Sequence, residues 1–327
     1  MRVTRRSFVG LAAASLSSTS LIARAARRDN SVVGGVRIGV QTYSFRDMLG
    51  TPGDMVDKMI AAMQRLGLTE CEMFEPCLQP PELSADAPWR MVAGKPTEAS
   101  LLGRPPTKAP DTTALAHLEA VRQWRLGEGL DQVRAAGAKF KKAGIRVFAF
   151  NYMLKDSLTD AEIERGLEMT EALDTHIMTA STTLTMAKRS VPFFQKRNLM
   201  LALHGHSNLH DPIQFATPDS FEQGLAMSPL YRVNLDIGHF SAAGFDSVGF
   251  IRAHHEKITN LHLKDRKSND GPNEPFGHGD TPIKPVLQLL EHEGYRFPAD
   301  IEYEYAGAGS SVQEVGKCLD YVRAALA

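Results

Sequence analysis

Eight short strand-like runs alternate with stretches of helical spacing along this 327-residue chain. They fall at 36–42, 70–74, 145–150, 176–179, 199–204, 232–237, 258–264 and 300–304. After the first run, Met55, Met59, Ile60 and Met63 recur at the spacing of one helix face. A longer helical pattern covers 114–142 and stops at Gly144, and Thr159-Asp160-Ala161-Glu162 has the form of a helix cap. A helix between consecutive strands lets them return parallel, and eight such units suffice to close a barrel. The expected fold is α/β, a single-domain (β/α)8 barrel. An open doubly wound sheet is the rival, but no glycine-rich phosphate fingerprint follows the first strand. Residues 77–113, rich in proline and polar side chains, interrupt the pattern; because it resumes beyond them, they read as an inserted loop or lid.

The strand ends carry the chemistry. In Val233-Asn234-Leu235-Asp236-Ile237-Gly238-His239 an acid closes a buried apolar run, which is costly unless something pairs it. The run at 199–204 leads to His204 and His206, that at 258–264 to His262 and Lys264, and that at 300–304 to Glu302 and Glu304. A barrel gathers such ends on one face. Alternation sets His204 opposite Leu203, His262 opposite Leu263 and Glu302 opposite Tyr303, so these three and Asp236 can all point inward. Two imidazoles and two carboxylates suit one divalent ion, Mn²⁺, Zn²⁺, Fe²⁺ or Co²⁺, without choosing among them. The plainer alternative is a layer of hydrogen-bonded polar residues filling the barrel top; four such tips favour the metal.

Around that set, Glu302, His239 and Lys264 are the expected catalytic groups, with Glu304 able to replace Glu302 as ligand. Lys264 and Arg266 offer cations to steady an enediolate oxygen or hold a sugar hydroxyl, with an ion pair to Asp265 or Asp270 as the alternative, above all for Arg266. His206 is expected in support of the ligands or against substrate. Glu72 and Glu75 end the second run, one facing the cavity and one a helix; Glu75, with Asn151, Arg266 and Glu304, is an expected substrate contact. His278, between two glycines, could approach a ligand closely.

Residues 1–25 pass from Arg2 and Thr4-Arg5-Arg6 through an apolar, serine-broken stretch to Ala23-Arg24-Ala25. This is expected to be a signal peptide, too short and serine-rich to span a membrane. Thr4-Arg5-Arg6-Ser7-Phe8-Val9 is similar to the twin-arginine consensus, with an ordinary secretory signal as the alternative. The expected organisation is a twin-arginine signal peptide at 1–25, a polar leader at 26–35 and the barrel at 36–327, in a periplasmic or secreted protein without a membrane anchor. Export of a folded chain suits an enzyme that takes its metal before crossing. Cys71, Cys77 and Cys318 are too few for a disulfide framework. A formal net charge of −1 gives no reason to expect nucleic acid as partner.

The opening Ile38-Gly39-Val40-Gln41-Thr42-Tyr43-Ser44-Phe45, Leu235-Asp236-Ile237-Gly238-His239, Leu261-His262-Leu263-Lys264-Asp265 and Ile301-Glu302-Tyr303-Glu304 resemble the xylose isomerase-like TIM barrels of the sugar phosphate isomerase/epimerase superfamily. The resemblance implies one divalent metal held by Glu, Asp, His and Glu. Asp236, His262 and Glu302 match the last three, whereas the fifth strand carries His204-Gly205-His206 where a Glu-Asn-His pattern is usual. In the epimerases the two glutamates exchange protons on opposite faces of the substrate, and His204 breaks that symmetry. The chain also resembles a secreted subgroup with the Trp124-containing insertion and the Phe150-Asn151-Tyr152 tip; some of its wider group act on 3-keto-glycosides, removing the proton beside the ketone and eliminating the aglycone. The expected activity is therefore a metal-dependent sugar isomerase or epimerase on a small sugar or keto-sugar, and a homo-oligomer is compatible with it. A 3-keto-glycoside lyase is the alternative. From other classes, a non-catalytic carbohydrate-binding barrel would lack a complete metal set, and an endonuclease would want a basic face.

Overall fold

The computed structural model describes residues 31–85 and 112–327. The expected signal peptide, and residues 86–111 of the inserted loop with Trp89, lie outside the described residues.

Eight parallel strands form the barrel: β2 (Val36–Gln41), β3 (Glu70–Phe74), β4 (Arg146–Asn151), β5 (Ile177–Ser181), β6 (Met200–His204), β7 (Tyr231–Asp236), β8 (Ile258–Leu263) and β11 (Ala299–Ile301). They neighbour one another in the order β2-β11-β8-β7-β6-β5-β4-β3, and β2 also pairs with β3, which closes the ring. The short β1 (Val32–Val33) adds an antiparallel arm to β2, and β9 (Asp265–Arg266) pairs with β10 (Asn273–Glu274) in a separate hairpin.

Alternation along these strands is inverted relative to a barrel with an aliphatic interior. The apolar set faces outward under the helices. Tyr231 of β7 stacks edge-on against Phe194 of the helix Leu184–Arg197 and donates to the Ala187 carbonyl. The polar set faces inward, where side chains from six strands meet around Glu72. At the amino end of the barrel the Arg37 and Arg146 guanidiniums cover the Phe148 ring at 5.1 and 5.2 Å.

Caps fix the helix starts. Thr159 and Glu162 form a reciprocal capping box that opens Asp160–Ala172, and Ser310 with Gln313 does the same for Ser311–Ala325. The helical pattern at 114–142 is two helices, Thr112–Leu126 and Gly129–Lys142. The chain turns tightly between them: a Cβ on Gly129 would lie 2.7 Å from the Trp124 carbonyl and 3.0 Å from its ring. The last strand stops at Ile301, shorter than expected. Glu302 still donates its N–H to the Leu263 carbonyl at 3.0 Å, but Glu302–Glu304 leave the sheet and ride on the following loop. The three cysteines are buried and unpaired.

Candidate active site

The site has a floor built on one carboxylate. Glu72 is fully buried, and its Oε1 accepts from Gln41 (3.3 Å), Asn151 (3.0 Å) and Thr179 (2.7 Å). Its Oε2 accepts from Asn234 (2.8 Å) and Asn260 and faces His262 Nε2 at 2.9 Å. Burial alone would favour the neutral acid, but His262 and this cage of donors outweigh it and hold the Glu72 pKa below its ordinary value. A charged Glu72 then fixes the proton of His262 on Nε2, leaving Nδ1 to face the carboxyl end of the barrel.

There, His204 Nδ1, Asp236 Oδ2, His262 Nδ1 and Glu302 Oε2 are all buried, and none makes a well-aligned hydrogen bond with the described residues. They are nevertheless close together. His204, Asp236 and His262 each offer an atom within 4.8 Å of the others, and Glu302 Oε2 joins from the His262 side, 3.0 Å from Nδ1. Buried polar atoms without well-aligned hydrogen bonds are costly, so a cluster of them suits a bound cation. These four atoms belong to the four expected ligands. Burial, and then the charge of His262, bring the His204 pKa down to about 4, which leaves its lone pair available. His262 is raised instead: burial opposes its charge, but Glu72 and Glu302 outweigh it. A divalent cation would take over the position that this extra proton neutralises.

Lys264 is drawn in among the acids. Its Nζ lies 2.9 Å from both Asp236 Oδ2 and Glu302 Oε2 and 2.7 Å from Glu304. Burial disfavours its charge, but these three carboxylates outweigh that and raise its pKa. Glu302 is correspondingly held well below the usual carboxylate range, burial being overcome by Lys264 and His262. The local backbone is shaped for this meeting. Asp236 ends β7 and caps the short helix Ile237–Ala242, its Oδ1 accepting the His239 N–H at 2.8 Å. Gly238 lets that helix sit on β8, since a Cβ there would lie 2.7 Å from the Lys264 carbonyl.

A second cluster shares His204. His204, His206 and His239 also bring one nitrogen each within 4.8 Å of the others. Here, however, both His239 nitrogens face cations, Nδ1 against Arg266 Nη1 at 2.6 Å and Nε2 against Lys264 Nζ at 3.1 Å. Of these two, the carboxylate-bearing set is the better cation site, because it supplies compensating charge. Burial keeps both His206 and His239 neutral, their pKa values well below the ordinary one.

Three expected substrate contacts are placed otherwise. Glu75 turns away from the site toward a helix: Arg125 Nε donates to its Oε1 at 2.6 Å and Nη2 to its Oε2 at 2.9 Å, and the pair is buried. Asn151 is committed to Glu72 and so belongs to the floor. Arg266 spends its guanidinium on protein groups, namely Asp270, the Gly271 carbonyl, Ser207 and His239. Glu304 does border the site through Lys264, and Asn273 donates to it at 3.3 Å. His278 is exposed, on a turn clamped by Asp265, which accepts the Gly277, Gly279 and Thr281 N–H groups.

Of the two acids ending the second run, Glu72 is the one that faces the cavity, where Asn234 and Asn260 donate to it. One further group at this end carries no signal in the sequence. Lys155, in the loop after β4, is buried, and its Nζ donates to the Ser181 carbonyl at 2.9 Å. Burial lowers its pKa to about 7, and no periodicity marks it.

Comparison with known proteins agrees with this picture. A family model described as "Xylose isomerase-like TIM barrel" matches residues 122–324. L-ribulose-5-phosphate 3-epimerase UlaE of Escherichia coli is 26% identical over 223 residues, 64% of this chain and 71% of the relative. Among solved structures, a sugar phosphate isomerase/epimerase from Parabacteroides distasonis superposes with a TM-score of 0.55 at 17% identity, covering 89% of this chain and 94% of the other. The 3-keto-D-glucoside 4-epimerase YcjR of E. coli gives 0.54 at 13% identity, covering 88% and 99%. These structures share the fold. The family model spans most of the barrel and its carboxyl-end residues from β4 onward, and on that match the chain belongs to the xylose isomerase-like TIM barrel family.

Proposed function

We propose that this chain is a metal-dependent sugar isomerase or epimerase that removes a proton from the carbon beside a carbonyl of a sugar or keto-sugar. The observation that carries the reading is the convergence of four buried ligand-type atoms, His204 Nδ1, Asp236 Oδ2, His262 Nδ1 and Glu302 Oε2, at the strand ends of one half-barrel, none of them in a well-aligned hydrogen bond with the described residues. A divalent ion held by them would supply Lewis acidity beside the substrate carbonyl. Glu302 would hold the ion through Oε2, and its other oxygen would be the group to take the substrate proton. Lys264 places a fixed positive charge where negative charge grows on the substrate oxygen. His239 and His206, both neutral, border the same space and orient hydroxyl groups.

The relatives named as epimerases of a ketose phosphate support a carbonyl sugar as substrate class. His204 supports a narrower statement. With an imidazole where the family usually has its first glutamate, only one face of the substrate meets a carboxylate base. That favours one-sided proton removal, and it makes elimination from a 3-keto-glycoside the second reading: the proton leaves to Glu302, the C–H electron pair becomes a carbon–carbon double bond as the C–O bond to the aglycone breaks, and the departing oxygen takes a proton from water. Export through the twin-arginine route is part of the proposal, and places the enzyme in the periplasm or outside the cell.

Elemental analysis of the mature protein beside Asp236→Ala and Glu302→Ala tests the site. About one transition metal per chain, lost from both variants, is the expected result. Proton exchange in deuterated water with keto-sugars and 3-keto-glycosides then separates exchange from elimination. A well-folded wild type that neither holds metal nor takes up Mn²⁺, Zn²⁺ or Co²⁺ would overturn the proposal in favour of a carbohydrate-binding barrel.

A further inference from the structure

Arg266, read from the sequence as either a substrate contact or an ion-pair partner of Asp270, spends its guanidinium donors on four neighbouring residues. Nε and Nη2 donate to the Gly271 carbonyl at 3.0 and 2.7 Å, and Nη2 also reaches Asp270 Oδ1 at 3.0 Å. Nη1 has two neighbours, Ser207 Oγ and His239 Nδ1, each at 2.6 Å. A guanidinium has donors only and stays charged. The nitrogen it faces at that distance must therefore present a lone pair. Ser207 Oγ, whose own proton goes to Asp270 Oδ1, could accept from Nδ1 at 3.4 Å, but the guanidinium stands closer, at 2.6 Å, and a proton on Nδ1 would point into its donors.

From this geometry we infer that Arg266 is a positioning residue that locks His239 as the Nε2–H tautomer, so that His239 meets substrate as a hydrogen-bond donor and not as a base. With Nδ1 taken, the single proton of the neutral ring sits on Nε2. That atom points to the site, 3.8 Å from Asp236 Oδ2 and 3.1 Å from Lys264 Nζ. The three donors of the Lys264 ammonium are matched by Asp236, Glu302 and Glu304, at 2.9, 2.9 and 2.7 Å, so Nε2 is not needed as their acceptor, and its N–H is left for an oxygen brought by a ligand. A donor of this kind suits a substrate carbonyl or hydroxyl that gains negative charge as the neighbouring carbon loses its proton. The tautomer follows from the chain's own contacts; its use on a sugar oxygen rests on the function proposed above.

Nitrogen-15 spectroscopy of histidine-labelled, Zn²⁺-loaded protein reads the tautomer directly, with the His239 resonances assigned by their loss in His239→Gln. Wild type is expected to show a protonated Nε2 and an unprotonated Nδ1. Arg266→Met is expected to shift His239 to a tautomer mixture, and Arg266→Lys, which restores a donor, to recover the wild-type pattern. A wild-type spectrum with the proton on Nδ1, or with both nitrogens protonated, overturns the inference without recourse to any variant. So does an unchanged tautomer in a folded Arg266→Met protein. None of these outcomes depends on turnover, so failure of the sugar chemistry and failure of the tautomer lock are told apart.

Discussion

Glu72 and His262 face one another inside the barrel, Oε2 to Nε2 at 2.9 Å, with both side chains removed from solvent. The contact links the polar floor to the strand-end cluster, because the orientation of His262 decides which nitrogen is offered to a cation. A ligating histidine held by a carboxylate in this way is oriented and made more basic.

Glu72→Gln should therefore weaken metal binding without touching a ligand atom. A loss of roughly 10- to 100-fold in affinity is expected. A fall in stability of about 1–3 kcal/mol should accompany it, since the amide cannot satisfy every donor of the cage. Equilibrium dialysis against Zn²⁺ together with denaturant unfolding reads both. Unaltered affinity would show that something other than Glu72 sets the His262 ring.

Glu75 and Arg125 supply the matching control. Their buried pair ties β3 to the helix Thr112–Leu126 and lies outside the ligand cluster. Arg125→Met strands the Glu75 carboxylate and should cost on the order of 3–5 kcal/mol, while the metal content of the folded fraction stays at the wild-type value. Metal lost in proportion to the protein that remains folded would return Glu75 to the site.

Lys155 gives a pH dependence with a defined sign. Its pKa in the fold, about 7, lies below the ordinary 10.5. Between these values the unfolded chain binds the extra proton, so the contribution of Lys155 to stability rises with pH from about 7 to 10.5. Each unit of such a displacement corresponds to about 1.4 kcal/mol, before solvent relaxation reduces it. Lys155→Met should thus stabilise the protein most at pH 7 and below, by ~1 kcal/mol or more, and progressively less toward pH 10. Unfolding curves at several pH values check this; a gain that grew with pH would contradict it.

For export, the paired arginines are the test. Replacing Arg5 and Arg6 together by lysine should leave the precursor in the cytoplasm of a host with a twin-arginine system. Fractionation with antibody detection reads the outcome. Undiminished export of the double variant would favour the general secretory route.

The barrel was legible because its signal is repeated and local. Eight apolar runs, each followed by helical spacing, leave few ways to bury the apolar faces. Even so, boundaries slipped wherever a local contact decided them, as at Gly129, which packs on Trp124, and at Ile301, after which the chain leaves the sheet. The candidate ligands were legible for a related reason: His204, Asp236, His262 and Glu302 sit at or just beyond strand ends, and chain position fixes which end of a barrel a residue occupies.

Direction of a side chain beyond the strand, and the identity of its partner, are a different matter. Glu72 and Glu75 are three residues apart and chemically alike, yet one is the centre of the barrel floor and the other is bound to Arg125, fifty positions along the chain. For Arg266 the sequence left substrate contact and an ion pair with Asp270 open, and the fold spends its donors on Asp270, Gly271, Ser207 and His239. The sequence by itself determined the repeat, and with it the closed barrel and the face where reactive groups collect, since period and order are properties of the chain. Tertiary structure alone decided which acid pairs with which base and which nitrogen of His239 keeps its proton, because those depend on distances of a few ångströms between residues far apart in the sequence.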